Sequence, residues 1–191
     1  METVIGKTKI EIIKSNILTL SADAIVNPAN ARLIDQPGDM AFGGLHLSVI
    51  TQMGQKGQDE LWLMKQRLHG GIMAETQALV SSAGSMQNYK YVIHAVGPIW
   101  YDTVPEFEEE CRMKLATCYR NILAEAAKRK DIKTINFPSI STGHFNFPIE
   151  QAAPIVTQVM KEMLPQYDFD TIRFALFSQA VDAYTKELAK M

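Results

Sequence analysis

Two glycine-containing loops have the composition of sites that hold an anion through the protein backbone. The first covers residues 38–44 and leads into a helical pattern that begins near Leu45, and the second covers residues 141–145. Because the first turn of a helix presents unpaired N–H groups and partial positive charge, a loop of small residues at that point can bind phosphate. At Gly143 the missing Cβ would let a phosphate approach the chain closely. Two such loops predict a ligand that carries a diphosphate.

Two asparagines, Asn27 and Asn30, lie at the end of a short apolar stretch. An asparagine amide both donates and accepts hydrogen bonds, so it suits hydroxyl or carbonyl groups of a ligand at a strand end. The alternative is that both side chains cap a turn that Pro28 helps to form. The residue types alone leave both interpretations open.

Three of the four histidines bear on the chemistry. His46 and His144 fall in the two loops, and an imidazole can accept a proton near neutral pH. The alternative for His46 is a solvent-facing position in the first helical turn. No third ligand accompanies this pair, so we predict no metal site. His94 lies within an apolar run and is predicted to be a hydrogen-bonded core residue.

Strands must alternate with helices to position these loops. Apolar runs predict strands at 9–13, 24–27, 77–81, 91–96, 134–137 and 172–177. Helical spacing predicts one helix over 107–126, another over 155–163 and a C-terminal helix over 179–190. Several strands are almost continuously apolar, which is typical of a sheet covered on both faces. We therefore expect an α/β fold, a three-layer α/β/α sandwich with a mixed, mostly parallel central sheet.

Composition restricts the class of protein. The 191 residues are 47% hydrophobic and 21% charged with a formal net charge of −2, which fits a single domain over residues 1–191 and makes nucleic acid an unlikely partner. No apolar run reaches transmembrane length, and the N-terminal segment lacks a signal-peptide pattern, so we expect no membrane association.

Cys111 and Cys118 would lie about 10 Å apart along a helix, too far for a disulfide. Free thiols predict a cytoplasmic location.

Six segments resemble motifs of the macrodomain family, whose members bind ADP-ribose. The first is Ser15-Asn16-Ile17-Leu18, the counterpart of a Gly-Asp-Ile-Thr-like tetrapeptide in the family. The family's Asp-Ala-Ile-Val-Asn-Ala-Ala-Asn motif is similar to residues 23–30, with Pro28 as the difference. The other four similarities are the glycine-rich loop Phe42-Gly43-Gly44-Leu45, the strand motif at 91–98, the second loop at 141–148 and the last strand at 174–177. Their order and spacing cover nearly the whole chain. The resemblance implies a macrodomain fold whose partner is ADP-ribose or an ADP-ribosylated substrate.

The resemblance also implies roles for individual residues. Asn16 would accept a hydrogen bond from the adenine amino group, Phe177 would stack on the adenine, and Phe145 would pack beside the distal ribose. Asn30 would orient that ribose and is a predicted catalytic residue, together with His46 as a base. The full predicted ligand-binding set is Asn16, Ile17, Asn27, Gly43, Gly44, Leu45, Ser141, Thr142, Gly143, His144, Phe145 and Phe177.

The chain departs from hydrolytic members of the family at the two loops. Those members usually have three or four successive glycines and often an acidic residue two positions after the last one, where His46 stands here. His144 replaces a small apolar residue, and Asn146 replaces a glycine. We expect hydrolysis of ADP-ribosyl adducts or O-acetyl-ADP-ribose at the distal ribose, with no cofactor. The alternative is a non-catalytic ADP-ribose reader or sequestering module.

Overall fold

Seven strands pair into one sheet in the part of the chain that the computed structural model describes, residues 1–35, 43–101 and 104–190. The strands are β1 (Glu2–Ile5), β2 (Thr8–Lys14), β3 (Ala22–Pro28), β4 (Ala78–Ser82), β5 (Tyr89–Ala95), β6 (Thr134–Phe137) and β7 (Thr171–Leu176). They lie side by side in the order β1-β2-β7-β6-β3-β5-β4.

The sheet is mixed, and its parallel centre decides where a site can form. Strands β2, β7, β6, β3 and β5 are parallel, whereas β1 and β4 pair antiparallel at the two edges. The carboxyl ends of the five parallel strands therefore lie at one edge of the sheet. The segments that follow them converge there, and in α/β sheets this is the edge where ligands bind.

Helices cover both faces of the sheet. Helix α1 (Gly44–Lys65) packs on one face, and α2 (Pro105–Ala127), α3 (Ile149–Met163) and α4 (Gln179–Leu188) pack on the other. Strand β3 shows the consequence, because Ala24 and Val26 join the core under α2 to α4 while Ile25 joins the core under α1. Both faces are thus buried, which explains the near-continuous apolar runs. The predicted three-layer sandwich is confirmed.

Some details differ from the expectation. Strand β1 was not predicted, because it is a short edge strand whose Glu2 and Val4 are exposed. Helix α1 is kinked at Gly54, which has a left-handed φ of 64°.

Both cysteines are free and buried. Among the described helices, none is long and apolar enough to cross a membrane.

Candidate functional site

A cleft of about 660 Å³ opens at the carboxyl edge of the parallel strands. Its walls come from the segments after β2, β3, β5, β6 and β7 and from the start of α1. The predicted site residues line this cleft, with the exception of Asn27. Residues 38–42 of the first predicted loop, including Phe42, lie outside the described residues.

The loop at residues 141–145 is folded tightly and leaves backbone donors unused. The N–H of Phe147 donates to the Ser141 carbonyl and that of Asn146 to the Gly143 carbonyl, both at 2.9 Å. Ser141 has a left-handed φ of 66°. Within the described ranges, the N–H groups of Gly143, His144 and Phe145 donate to no other residue. Successive free N–H groups in such a turn form a concave site for an anion.

The described end of the first loop meets this second loop. Gly43 precedes α1 without a side-chain cap, so among the described residues nothing pairs with the first-turn N–H groups of the helix. Gly44 has a left-handed φ of 69°, and a β-carbon built on it would lie 3.3 Å from Cε1 of His144. The His144 ring therefore lies beside Gly44. The two predicted anion loops face one cleft, as a diphosphate site requires.

Asn16 and Phe177 lie close together at one end of the cleft, because β2 and β7 pair in parallel up to Lys14 and Leu176. The Asn16 side chain caps a short 3-10 turn, Ile17–Thr19, by accepting a hydrogen bond from the Leu18 N–H at 3.0 Å. Phe177 follows the last residue of β7 and is 64% exposed, an unusual position for a large aromatic ring. A planar base would cover this ring.

Asn30 lies on the cleft wall beyond the end of β3. Its Oδ1 accepts a hydrogen bond from the Arg32 N–H at 2.9 Å, and its backbone carbonyl accepts one from the Leu33 N–H at 3.1 Å. The side-chain oxygen of Asn30 therefore caps a turn, as the second of the two interpretations expected. Its Nδ2 donates to none of the residues for which a structure is described, so the amide hydrogens remain for a ligand.

Asn27 does not lie where a ligand-binding role requires, and this corrects the prediction. Its side chain is fully buried under the cleft, on the α1 face of β3. Its Nδ2 lies 2.9 Å from Nδ1 of His46 and 3.0 Å from Nδ1 of His94. Asn27 thus joins two histidine rings instead of contacting the cleft. Its burial follows from its place inside the strand, three residues before Asn30.

His46 differs from both expectations for it, because its ring neither faces solvent nor has a free nitrogen. It is 5% exposed, and its Nε2 lies 2.9 Å from the Leu33 carbonyl oxygen. A carbonyl only accepts, so Nε2 carries the hydrogen and Nδ1 accepts from Asn27. Burial lowers the pKa of His46. With both nitrogens engaged, His46 has no acceptor atom for a water, and this geometry speaks against the predicted base.

His94 continues the same hydrogen-bonded chain and is the predicted core histidine. It is fully buried, and burial, followed by repulsion from His46, lowers its pKa to about 3. Its Nδ1 accepts from Asn27, so its Nε2 donates to the Ser81 hydroxyl at 2.9 Å, which in turn donates to the Ser82 carbonyl at 2.9 Å. The set His46, Asn27, His94 and Ser81 is called here the buried histidine relay.

Residue-by-residue prediction missed Gly97 and the segment 138–140, which also line the cleft. Gly97 follows β5 and belongs to the segment 91–98 that resembled a family motif, so a signal for it was present. The Ser141 hydroxyl is buried without a hydrogen-bond partner in the described part of the molecule. An orphaned buried hydroxyl on a cleft wall is a candidate for contact with a ligand.

Comparison with known proteins decides the family. The model of the Macro domain family matches residues 26–156, which include the end of β3, all of α1, β5 and β6, and the loop at 141–145. The chain belongs to the Macro domain family. A macro domain-containing protein of Caldanaerobacter subterraneus is 37% identical over 181 residues, covering 94% of this chain and 95% of the relative. One from Listeria monocytogenes is 33% identical over 175 residues, covering 90% of this chain and 91% of the relative.

Solved macrodomain structures share the architecture of this macrodomain. A mutant of the Oceanobacillus iheyensis macrodomain with ADPR has a TM-score of 0.85 at 29% identity and covers 100% of this chain and 97% of that chain. The same macrodomain with ADP has a TM-score of 0.85 at 30% identity, with 100% and 95% coverage. The resemblance predicted from the sequence motifs is confirmed.

Proposed function

We propose that this macrodomain binds ADP-ribose in the cleft. The observation that carries the proposal is the order of three groups along the sheet edge. The exposed Phe177 follows β7, the loop at 141–145 with Gly44 beside it follows β6, and Asn30 follows β3. This order matches a base, a diphosphate and a second ribose. The Oceanobacillus iheyensis macrodomain, seen with ADPR and with ADP, supports the same ligand class.

Individual contacts follow from the donors that the fold leaves unused. The N–H groups of Gly143, His144 and Phe145 and the open start of α1 would hold the diphosphate. The buried Ser141 hydroxyl would gain a partner from the same ligand. Asn30 would donate to hydroxyls of the distal ribose. None of these contacts needs a charged side chain, since preorganised backbone dipoles supply the positive potential.

Calorimetry with ADP-ribose and AMP tests this binding. We expect ADP-ribose to bind with a micromolar or lower Kd, about −8 kcal/mol. AMP should bind weakly, because it lacks the distal ribose and half of the phosphate contacts. Absence of saturation at millimolar ADP-ribose would contradict the proposal.

We also propose a reaction at the distal ribose, hydrolysis of an ADP-ribosyl adduct or of O-acetyl-ADP-ribose. In it Asn30 orients the ribose while a water attacks one of two atoms. Attack on the anomeric carbon breaks its bond to the adduct, which leaves with the proton of the water, and attack on the ester carbonyl breaks the ester bond and releases acetate. Positioning of this kind can contribute a large part of a rate enhancement. Two buried free thiols fit a reducing compartment, so we place this activity in the cytoplasm.

A specific observation favours the alternative, a non-catalytic ADP-ribose reader. No carboxylate from the described residues lines the cleft, and both nitrogens of His46 are engaged within the protein. A hydrolase needs a group that positions or deprotonates the water. A reader needs only the binding contacts.

One assay separates the two functions. The protein is incubated with a mono-ADP-ribosylated protein and, separately, with O-acetyl-ADP-ribose, and free ADP-ribose is measured. A hydrolase releases ADP-ribose, and Asn30→Ala then lowers turnover far more than affinity, by about a hundredfold, because the reacting group is misplaced. No release from either substrate, with ADP-ribose binding intact, assigns the protein to the reader class.

A further inference from the structure

Leu33 occupies a backbone conformation that needs support. Its φ of 57° is left-handed, although it is neither glycine nor asparagine, and its side chain is 1% exposed. Left-handed conformations crowd the Cβ of a residue such as leucine and persist only where surrounding contacts impose them. Leu33 closes the turn that begins at Asn30, through the hydrogen bond from its N–H to the Asn30 carbonyl.

His46 supplies the support from outside the turn. Its Nε2–H donates to the Leu33 carbonyl at 2.9 Å, so one backbone group of Leu33 binds Asn30 and the other binds His46. On the other side of the ring, Asn27 holds Nδ1 of His46, His94 pairs with Asn27, and Ser81 pairs with His94. The buried histidine relay therefore connects the Asn30 turn to β3, β5 and β4, three neighbouring strands of the sheet.

With both rings neutral, every ring nitrogen of the relay has a hydrogen-bond partner. Each ring donates from Nε2 and accepts at Nδ1, and Asn27 gives one amide hydrogen to each ring. In a charged ring, Nδ1 would carry a hydrogen that faces an N–H of Asn27, one donor against another. The charge would also be costly in this buried position. The relay is therefore suited to fix geometry and not to move a proton.

We propose that His46 is a positioning residue that sets the specificity of the cleft for a second ribose, because its bond to Leu33 holds the Asn30 turn. The inference rests on the proposed ADP-ribose binding and extends it. The turn follows β3, and β6 separates β3 from β7, the strand that ends beside Phe177. Loosening it should therefore cost affinity for ADP-ribose, which carries the second ribose, and spare ADP, which lacks it.

The test compares ADP-ribose with ADP in calorimetry on the full chain and three variants. His46→Leu removes both hydrogen bonds with a similar volume. His46→Gln keeps a donor near the position of Nε2 and serves as the rescue. His69→Leu is the matched control, since His69 is exposed and outside the cleft.

The parent should bind ADP-ribose more tightly than ADP. His46→Leu should raise the Kd for ADP-ribose about tenfold and leave that for ADP within about twofold, since it loses one buried hydrogen-bonded anchor. His46→Gln should recover most of the preference, and His69→Leu should keep all of it. If His46→Leu does not fold, His46→Asn replaces it, because its shorter amide reaches Asn27 but not Leu33 and should lose the same preference.

Each other outcome has a distinct meaning. A folded His46→Leu or His46→Asn protein that keeps the full preference for ADP-ribose overturns the positioning role and leaves the proposed function standing. An equal loss of affinity for ADP-ribose and for ADP also overturns the positioning role, because the substitution then weakens the whole cleft and not the contact with the second ribose. A parent protein that binds neither ligand overturns the proposed function itself, and this inference with it.

Discussion

Gly97 lies directly under Ser141, with no room for a side chain between them. A β-carbon built on Gly97 would overlap the Ser141 Oγ and would lie 2.6 Å from Cγ2 of Ile140. Gly97 follows β5, and Ser141 follows β6. Because Gly97 has no side chain, the loop that begins at Ser141 can pack directly against its backbone. The left-handed Ser141 and the free N–H groups after it depend on this close approach.

Gly97→Ala should therefore lower both stability and affinity. Overpacking of this kind lowers the free energy of unfolding by about 1–3 kcal/mol, and displacement of the loop should weaken ADP-ribose binding. Urea unfolding and calorimetry measure the two effects. Gly143→Ala is the matched control, because a β-carbon there has no neighbour within 4 Å. It should keep the unfolding free energy within about 0.5 kcal/mol and lose only affinity. An unaffected Gly97→Ala protein would show that the loop tolerates displacement.

Phe177→Ala should weaken ADP-ribose binding about tenfold or more, because stacking of a base on an aromatic ring is worth about 1–3 kcal/mol. Its stability should change by no more than about 0.5 kcal/mol, since the ring is 64% exposed. Phe107→Ala provides the comparison, as Phe107 is 51% exposed on α2 and does not line the cleft. Calorimetry of both variants decides the point. Equal affinities for ADP-ribose would mean that the adenine lies elsewhere.

Asn16→Asp should bind ADP-ribose as tightly as the parent or more tightly. A carboxylate keeps the cap on the Leu18 N–H and accepts the adenine amino group more strongly than an amide oxygen does. Asn16→Ala should lose the cap, about 1 kcal/mol of stability, together with adenine affinity. Thermal unfolding measures the loss of stability, and titration with AMP measures the loss of adenine affinity. Weaker binding by Asn16→Asp would argue that the adenine does not contact this side chain.

Stability should fall as the pH decreases from 7.5 to 5.5. Burial lowers the pKa of His46 and brings that of His94 to about 3, whereas histidines in the unfolded chain titrate near 6.5. Below about pH 6.5 the unfolded state binds the additional protons, so this part of the stability is complete above that pH and is lost progressively towards the folded pKa values. For His94 the loss should approach about 1.4 kcal/mol per pH unit, and His46 adds to it in the same direction.

Urea unfolding at pH 7.5, 6.5 and 5.5 measures that slope. His46→Gln should show a smaller slope than the parent, because one of the two buried neutral rings is gone. A parent whose unfolding free energy is constant over this range would mean that the relay accepts protons without loss of the fold.

Local patterns predicted most of the sheet because burial on both faces acts on every residue of a strand. Strand β6 was predicted with the bounds that the structure has, Thr134–Phe137, since a run this short is typical of a strand covered on both faces. Strand β1 carries no such signal, because it lies at the sheet edge and Glu2 faces solvent. Phe177 was the last residue of the strand predicted over 172–177 and lies one residue beyond the end of β7, and its predicted role came from the family resemblance.

The roles of Asn27 and His46 were decided by the tertiary structure. Residue type and spacing established that both were polar groups near a strand end and a helix start, and nothing in them showed which partners they would meet. Asn27 meets His94, 67 residues away in the chain, because β3 and β5 are neighbours, and His46 meets both Asn27 and Leu33 because α1 packs over β3. A periodic pattern reports which face of an element is buried. The hydrogen-bond partner of a buried polar group depends on which distant segments pack together, and that is settled only when the chain has folded.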